Sequence, residues 1–448
     1  MDNALSNVFA CEYGKDKAEL KNAKLLYILM SVFLIVDWSL PSYFGIHIGF
    51  DFTGTRILNM IILLYFVLNR TAGNHFLRSM LELQVTPYLA LYMFVMIYTT
   101  VLRVNVNTFF LNFLDIITFY MVYYGIRYLI GVKKAIDWTV KFAWVIGIYG
   151  LIEYILGFSP MLKFMMTLPS AVRVVFRSGQ YRVFGPCAHS IAYGLLLLIL
   201  IAIACMDYEK DEMYLFKRPA LLGLLLVNLF LTGSRGPLGF AFAEMFLIIL
   251  LSKSERRKKT LFYLIVFVIV VVACELVLIK TSVGQYIMMQ FTSVIDEVFG
   301  TSYAVNYGAD TTWLNQSSSY REHLPRIFTV GWLNPMLGLG ANASIPFQFE
   351  DVTIRSIDNF YVASYVRYGY PGLISFGLFQ IMSIIYPLRT AIKHRSGISM
   401  VVAIAITIYS ISLYWVDYLH TTKYMYILLA IYCAHYSDKF ADRDVKNN

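Results

Sequence analysis

Arg182 in YRVFGPCAH, Arg235 in LTGSRGP and Arg321 in SSSYREHLPR carry the clearest chemistry in this chain. Each sits beside an apolar run, where an arginine is costly unless it faces an aqueous cavity and meets an anion. A guanidinium presents a planar fork of donors that grips phosphate bidentately. Three of them on one face of a membrane would bind a phosphate or pyrophosphate. Fixed cations aimed at a departing pyrophosphate would also stabilise the charge that develops as it leaves. An incoming hydroxyl then needs a base, and a carboxylate suffices when the leaving group is good. Asp358, in SIDNFY, opens an apolar run and is placed for that task, or equally to cap the helix that follows. Glu322 and His323, next to Arg321, are the alternative bases.

The elements that must position these residues follow from composition. The 448 residues are 58% hydrophobic and 15% charged, far from the balance of a soluble domain. Apolar runs of about twenty residues recur from Leu25 to Tyr436, so the fold class is all-α, a polytopic membrane helical bundle. About twelve span cores can be drawn: 25–44, 52–69, 85–102, 109–130, 138–157, 184–205, 217–233, 237–252, 260–280, 357–386, 399–416 and 420–437. Lysine and arginine mark every second connection, for example Lys133 and Lys134, Lys217 and Arg218, Lys253 to Lys259, and Arg389 to Arg395. The positive-inside bias therefore puts both termini in the cytoplasm, and residues 1–448 form a single transmembrane domain. The first apolar run is long and no clear small-residue cleavage site follows it, so no cleavable signal is expected.

Two connections on the outer side stand out. Residues 160–182 alternate apolar positions with Lys163, Arg173 and Arg177, the pattern of a basic segment lying in the membrane interface. Residues 281–356 form a large extracytoplasmic loop between spans nine and ten. Its aromatic content and its Gly338-Leu339-Gly340 turn point to an ordered cap over the bundle. The runs on either side of Arg235 are too short to cross a full hydrocarbon core of roughly 30 Å. The Gly233–Pro237 tip should be recessed, where irregular backbone survives only against protein or a water-filled cavity. A recessed, glycine-flanked arginine suits a diphosphate pocket, with a snorkelling anchor as the alternative. Arg182 reads as an interfacial anchor or a ligand, and Arg321 as a ligand or a partner of a neighbouring carboxylate.

Other polar residues point elsewhere. Asp115, Glu153, Glu244 and Glu275 lie within spans and would serve an ion pathway, which makes a polysaccharide flippase or other transporter the reading of another class. No inverted repeat of broken helices accompanies them. Asp51 and Arg56 are spaced to pair. His189 reads as a core histidine before a catalyst, and Asp417 with His420 could contact sugar in a short outer turn. The five cysteines are scattered and form no metal-ligand spacing, so no metal and no other cofactor is expected. The net charge of +9 lies next to spans, where it serves orientation, and no nucleic-acid partner is expected.

The stretches YRVFGPCAHSIAYGLLL, LTGSRGPLGFAFA, SYREHLPRIFTVGWLNPMLGLGAN and SIDNFYVASYVRYGYPGL, in this order, resemble the O-antigen ligase / O-antigen polymerase superfamily of bacterial membrane glycosyltransferases. The resemblance covers roughly residues 180 to 375, and the layout of spans with a long outer loop extends it to the whole chain. It implies a GT-C-like, metal-independent, inverting enzyme of the bacterial cytoplasmic membrane. The donor would be an undecaprenyl-pyrophosphate-linked glycan and the acceptor a glycan hydroxyl at the outer face. Flippase and chain-length regulator proteins are possible partners. Arg182 and Arg235 match the arginines taken to hold the donor pyrophosphate, and Arg321 matches the arginine of the outer loop. Ligases commonly carry His-Asn where this chain has Asp358-Asn359, which favours a polymerase-like member over a ligase.

Overall fold

The computed structural model describes residues 17–41, 43–47, 51–104, 106–164, 176–177, 180–309, 323–341, 347–349, 352–354, 357–416, 421–441 and 444. The helices are α1 (Lys17–Ser39), α2 (Gly54–Leu68), α3 (Arg70–Leu81), α4 (Thr86–Arg103), α5 (Val106–Tyr124), α6 (Val132–Leu156) and α7 (Ser190–Ala204). They continue as α8 (Pro219–Leu231), α9 (Arg235–Leu251), α10 (Ser254–Leu278), α11 (Ser282–Phe299), α12 (Phe360–His394), α13 (Gly397–Ser412) and α14 (Thr422–Lys439). A π-helical turn, Gly125–Ile130, extends α5. The strands among the described residues form four short antiparallel hairpins: β1–β2 (Gly45–His47, Asp51–Thr53), β3–β4 (Phe176–Arg177, Gln180–Tyr181), β5–β6 (Met206–Asp207, Glu212–Met213) and β7–β8 (Phe347–Phe349, Val352–Ile354).

Each apolar run expected to span falls on one of these helices, so the fold is all-α. Among the described residues, Asn112–Ile130, Val132–Leu156 and Phe360–His394 are long and apolar enough to cross a membrane alone. The α2–α3 pair, bent by 114°, makes a possible fourth. Others are shorter: residues 184–189, expected inside a span, are not helical, and α7 begins only at Ser190.

Burial shows which solvent the bundle is built for. Every residue of α7 except Ile191 is buried, as are Tyr424–Ala434 of α14, so these two helices form the centre. Large apolar side chains point outward from the periphery, among them Val145, Ile148, Ile152 and Ile155 of α6 and Phe262, Ile265 and Ile269 of α10. A contiguous apolar exterior of this kind is the surface of a protein solvated by lipid. Between helices, packing and polar contacts replace the hydrophobic effect. Asn228 of α8 illustrates this, donating to Gly147 O of α6 at 2.9 Å and accepting from the Tyr193 hydroxyl of α7 at 3.0 Å. Such interhelical bonds are worth roughly 0.6–2 kcal/mol each.

The basic connections meet at one end of the bundle around the acidic β5–β6 hairpin. Asp207 pairs with Lys217 at 2.6 Å and Glu209 with Lys133 at 2.7 Å. Glu212 pairs with Lys253 at 3.0 Å and Arg256 at 3.1 Å. Asp211 accepts from Ser396 at 2.8 Å and from Ile398 N–H at 3.1 Å, and lies 3.2 Å from His435 Nε2. One hairpin thus ties together the connections before α6, α8, α10 and α13. Arg127 pairs with Asp438 at the same end.

The other end is organised by a break in α12. Gly369 adopts φ 65°, ψ −166°, and Pro371 follows it. A helix would use Tyr370 N–H and the amide at 371 to satisfy the carbonyls of Val366 and Arg367, and proline has no amide hydrogen to give. The 334–340 turn fills the gap. Leu339 N–H donates to Val366 O at 2.7 Å, Gly340 N–H to Arg367 O at 2.9 Å, and Tyr370 N–H to Pro335 O at 2.7 Å. A Cβ on Gly338 would stand 2.5 Å from Val366 O, and one on Gly369 would stand 2.3 Å from Pro335 O. Arg103 and Tyr98 of α4 hold the same turn through Gly338 O and Met336 O. The 281–356 connection is therefore less irregular than the sequence suggests. It opens with the eighteen-residue α11 and is stitched into α12.

Candidate functional site

The site grows from the tip between α8 and α9. At about 1.5 Å per residue, the thirteen residues of α8 reach only roughly 20 Å. The tip is accordingly sunk, with Thr232 wholly buried and Ser234 nearly so. Gly233 turns the chain at φ 57°, in the left-handed region where a side chain is strained. Helix α9 then starts at Arg235.

Arg182 lies against this turn. Its Nε donates to Thr232 O at 2.9 Å and one terminal nitrogen donates to the Ser234 hydroxyl at 2.8 Å. Only 4% of Arg182 is exposed. Ser234 is thereby engaged by Arg182 and makes no side-chain cap on α9. Tyr286 of α11 donates to Phe230 O at 3.2 Å, closing the turn from another side. Arg235 points toward α11, with its guanidinium 3.2 Å from Glu297 Oε2. Beside it, Asp296 accepts from Thr301 Oγ1, Tyr303 N–H and Ala304 N–H. Burial opposes the ionisation of Asp296, but these bonds and the charge of Arg235 outweigh it and hold the carboxyl below its ordinary value. Nothing described lies within 4 Å of a Cβ built on Gly236, so space opens next to Arg235.

Arg182 itself is carried by an extended segment. Val183 N–H donates to Leu231 O at 3.0 Å. Phe184 N–H and the Tyr181 hydroxyl donate to Glu153 Oε1 at 3.0 Å and 2.9 Å, and Gly185 N–H to Glu153 Oε2 at 2.9 Å.

A second group gathers at the start of α12. Asn359 is the N-cap, its Oδ1 accepting from Tyr361 N–H at 2.9 Å and Val362 N–H at 3.1 Å. The cap that the sequence allowed for Asp358 is thus filled by its neighbour, and Asp358 stands partly exposed just outside the helix. Phe360 N–H donates to Leu413 O and Val416 O, which ties this corner to the end of α13. The Trp415 ring lies against Phe240 of α9, tilted, with centroids 5.5 Å apart, so the α9 and α12 openings share one end of the bundle. His323 precedes Leu324, which belongs to one apolar cluster with Ile357 and Val362. The His323 Nδ1 is buried and has no hydrogen-bond partner among the described residues. Asp358 and His323 therefore flank one small core.

Arg173, Arg321, Glu322, Asp417 and His420 lie outside the described residues. Arg177 falls on β3, within the 160–182 segment expected to lie in the outer interface. The acids within helices separate. Arg56 is 3.5 Å from Asp115, and the side chain of Asp51, expected to pair with it, lies outside the described residues. Glu153 serves the Arg182 segment. Glu244 is fully buried with neither carboxyl oxygen hydrogen-bonded among the described residues. Glu275 lies on α10. His189 caps α7, its Nδ1 accepting from Ile191 N–H at 3.1 Å, where a core position was expected. No group of three or more His, Cys, Asp or Glu suited to a metal occurs among the described residues. The roles of Glu153, Ser234 and Glu297 at the site had no sequence signal beyond the GSRG tip that holds Ser234.

No curated protein matches the chain. Residues 220–377 match a family model described as O-antigen ligase. That stretch runs from α8 through the sunken tip, α11 and the 334–340 turn to the break in α12. That match, over residues 220–377, together with the apolar helical bundle, supports a relation to the O-antigen ligase/polymerase superfamily.

Proposed function

We propose that this protein is a polymerase-like membrane glycosyltransferase acting on undecaprenyl-pyrophosphate-linked saccharide units at the outer face of the bacterial cytoplasmic membrane. The observation that carries the reading is the sunken tip, where Arg182 braces the turn that presents Arg235. About twelve crossings with both termini inside would put the acidic β5–β6 hairpin and its basic partners in the cytoplasm, and the arginine tip outside.

The chemistry is an inverting displacement. The hydroxyl oxygen of an acceptor saccharide bonds to the anomeric carbon of the donor as the bond from that carbon to the pyrophosphate oxygen breaks. The hydroxyl proton passes to a base, and undecaprenyl pyrophosphate departs with the bonding electrons. Arg235, with Arg182 behind it and Arg321 from the outer loop, would hold the pyrophosphate and stabilise its growing charge. Asp358 is the proposed base, with His323 and Glu322 as substitutes. Asn359, Arg173, Arg177, Asp417 and His420 are proposed contacts for sugar or lipid headgroup. Residues 281–356 are proposed to cap the bundle, and 160–182 to lie in the outer interface.

Ligation to a different acceptor is the second reading within the same family, since the matched model carries that description. A transporter is less well supported, because Asp115 and Glu153 each have local partners and trace no common path. Deleting the gene and identifying the lipid-linked glycan that accumulates separates these readings. Single repeat units on the outer leaflet support a polymerase, long unattached chains support a ligase, and units trapped on the inner leaflet support a flippase.

A further inference from the structure

Glu153, near the C-terminal end of α6, has no exposed surface. A carboxylate survives burial when its oxygens are paired, and removing the pairing is costly. Every hydrogen bond seen to Glu153 comes from residues 181–185, the segment that carries Arg182. That segment has no helical ladder of its own, and Gly185 bends it at φ 53°. Its backbone amides therefore need partners from elsewhere. Glu153 supplies them for Phe184 and Gly185, while Leu231 of α8 supplies one for Val183. The chain on the C-terminal side of Arg182 is pinned to two helices, and the Tyr181 hydroxyl pins the other side. Arg182 in turn holds Thr232 and Ser234, the residues that lead into Arg235.

We propose that Glu153 is a positioning residue for the pyrophosphate site: it fixes the segment that aims Arg182, and through Arg182 it fixes the turn that presents Arg235. This rests on the reading of Arg182 and Arg235 given above. It assigns to Glu153 a static role in place of the ion pathway that a lone carboxylate in a span suggests.

The test measures binding of undecaprenyl pyrophosphate to the full-length protein in lipid nanodiscs, alongside its thermal unfolding. Glu153→Gln keeps the shape but turns one acceptor oxygen into a donor, so one of the three bonds from 181–185 is replaced by opposed donors. Binding should weaken about tenfold or more, the worth of one hydrogen bond to a charged group. Tyr181→Phe deletes a single bond and should weaken binding less, in the same direction. In an Arg182→Gln background, adding Glu153→Gln should cost little further, because the residue acts through Arg182. A merely structural residue would instead give additive losses in the double mutant. Additive losses overturn the proposal, and so does unchanged binding in Glu153→Gln while Arg182→Gln is impaired; in both cases the site reading stands. Unchanged binding in both Arg182→Gln and Arg235→Ala overturns the site reading itself. Should Glu153→Gln fail to accumulate, Tyr181→Phe decides, and full-strength binding by that variant rejects the positioning role.

Discussion

Arg182 and Ser234 are joined by a hydrogen bond of 2.8 Å although fifty-two positions separate them in the chain. The bond takes up the hydroxyl that would otherwise cap α9, so Arg182 replaces a local interaction with a tertiary one at the residue next to Arg235. With only 4% of its surface exposed, Arg182 is held by the protein, whereas the Arg235 side chain retains 15% and faces Glu297. Of the two arginines, Arg235 is the one placed to meet an anion directly.

Arg235→Ala should therefore cut glycan transfer by about 100-fold or more at unchanged membrane abundance, the scale of losing a preorganised donor to a developing anion. Arg235→Lys should recover little, because an ammonium cannot reproduce the bidentate fork. Normal transfer by the alanine variant would remove Arg235 from the mechanism.

Glu297 competes for the same guanidinium at 3.2 Å. Glu297→Gln removes that carboxylate without shortening the side chain, so the donor KM should fall while kcat changes little. The pair is partly exposed, and the effect should shrink as salt rises, since exposed charges are screened over about 10 Å at 0.1 M. A KM that rises would mean that Glu297 chiefly orders α11.

Gly338→Ala should destabilise the protein by about 1–2 kcal/mol from its left-handed φ of 58° alone. The clash with Val366 O at 2.5 Å adds to this and should push the 334–340 turn out of the α12 break. Gly331→Ala is the control, because a Cβ there meets nothing within 4 Å and φ is not positive. Limited proteolysis of the 323–341 region and thermal unfolding read both effects. Equal behaviour of the two variants would mean the turn is not what supports the broken helix.

Much of this architecture is legible in the sequence because an apolar run long enough for a bilayer has few alternatives to a helix. The short runs around Arg235 also betray the sunken tip, since length alone limits their reach. Other features depend on which distant groups meet. Asp358 and Asn359 are both competent N-caps in adjacent positions, and only the backbone at Phe360, tied to Leu413 and Val416, selects Asn359. α11 is hidden because polar residues such as Gln290 and Asp296 lie on its buried face, so it shows no continuous apolar run. Glu153 looks like an ion-path carboxylate until the amides it serves, some thirty residues on, are seen.

The acidic hairpin makes stability depend on pH. Burial works against the ionised form of Asp207 and Asp211, but Lys217 for the first, and His435, Ile398 N–H and Ser396 for the second, hold both carboxyls below the ordinary value. Lys253 and Arg256 do the same for Glu212, and Lys393 leads the partners that hold Asp444 at about 2. Each folded-state value lies below its unfolded one, so the unfolded chain takes up protons first as pH drops. The stabilisation is complete above the unfolded carboxylate range near about 4 and is lost as pH falls through it toward about 2. Thermal unfolding should thus show Tm falling between about pH 5 and 2. Asp211→Asn should start from a lower Tm at neutral pH and lose less over that interval. A parallel fall in both proteins would exclude Asp211 from the effect.

Asp358 carries the riskiest prediction. Since Asn359 makes the cap, Asn359→Ala should cost about 1 kcal/mol of stability. Asp358→Asn, outside the helix and partly exposed, should stay within about 0.5 kcal/mol of the parent. If Asp358 takes the proton of the acceptor hydroxyl, Asp358→Asn should still bind undecaprenyl pyrophosphate and lose transfer, because an amide cannot accept that proton. Asp358→His restores a group that can, and should recover part of the rate with a dependence on pH shifted toward the imidazole range near about 6.5. Near-normal transfer by the asparagine variant would move the base to the 322–323 pair. His323 is the stronger of these, because it flanks the same apolar cluster as Asp358 and its buried Nδ1 has no hydrogen-bond partner among the described residues.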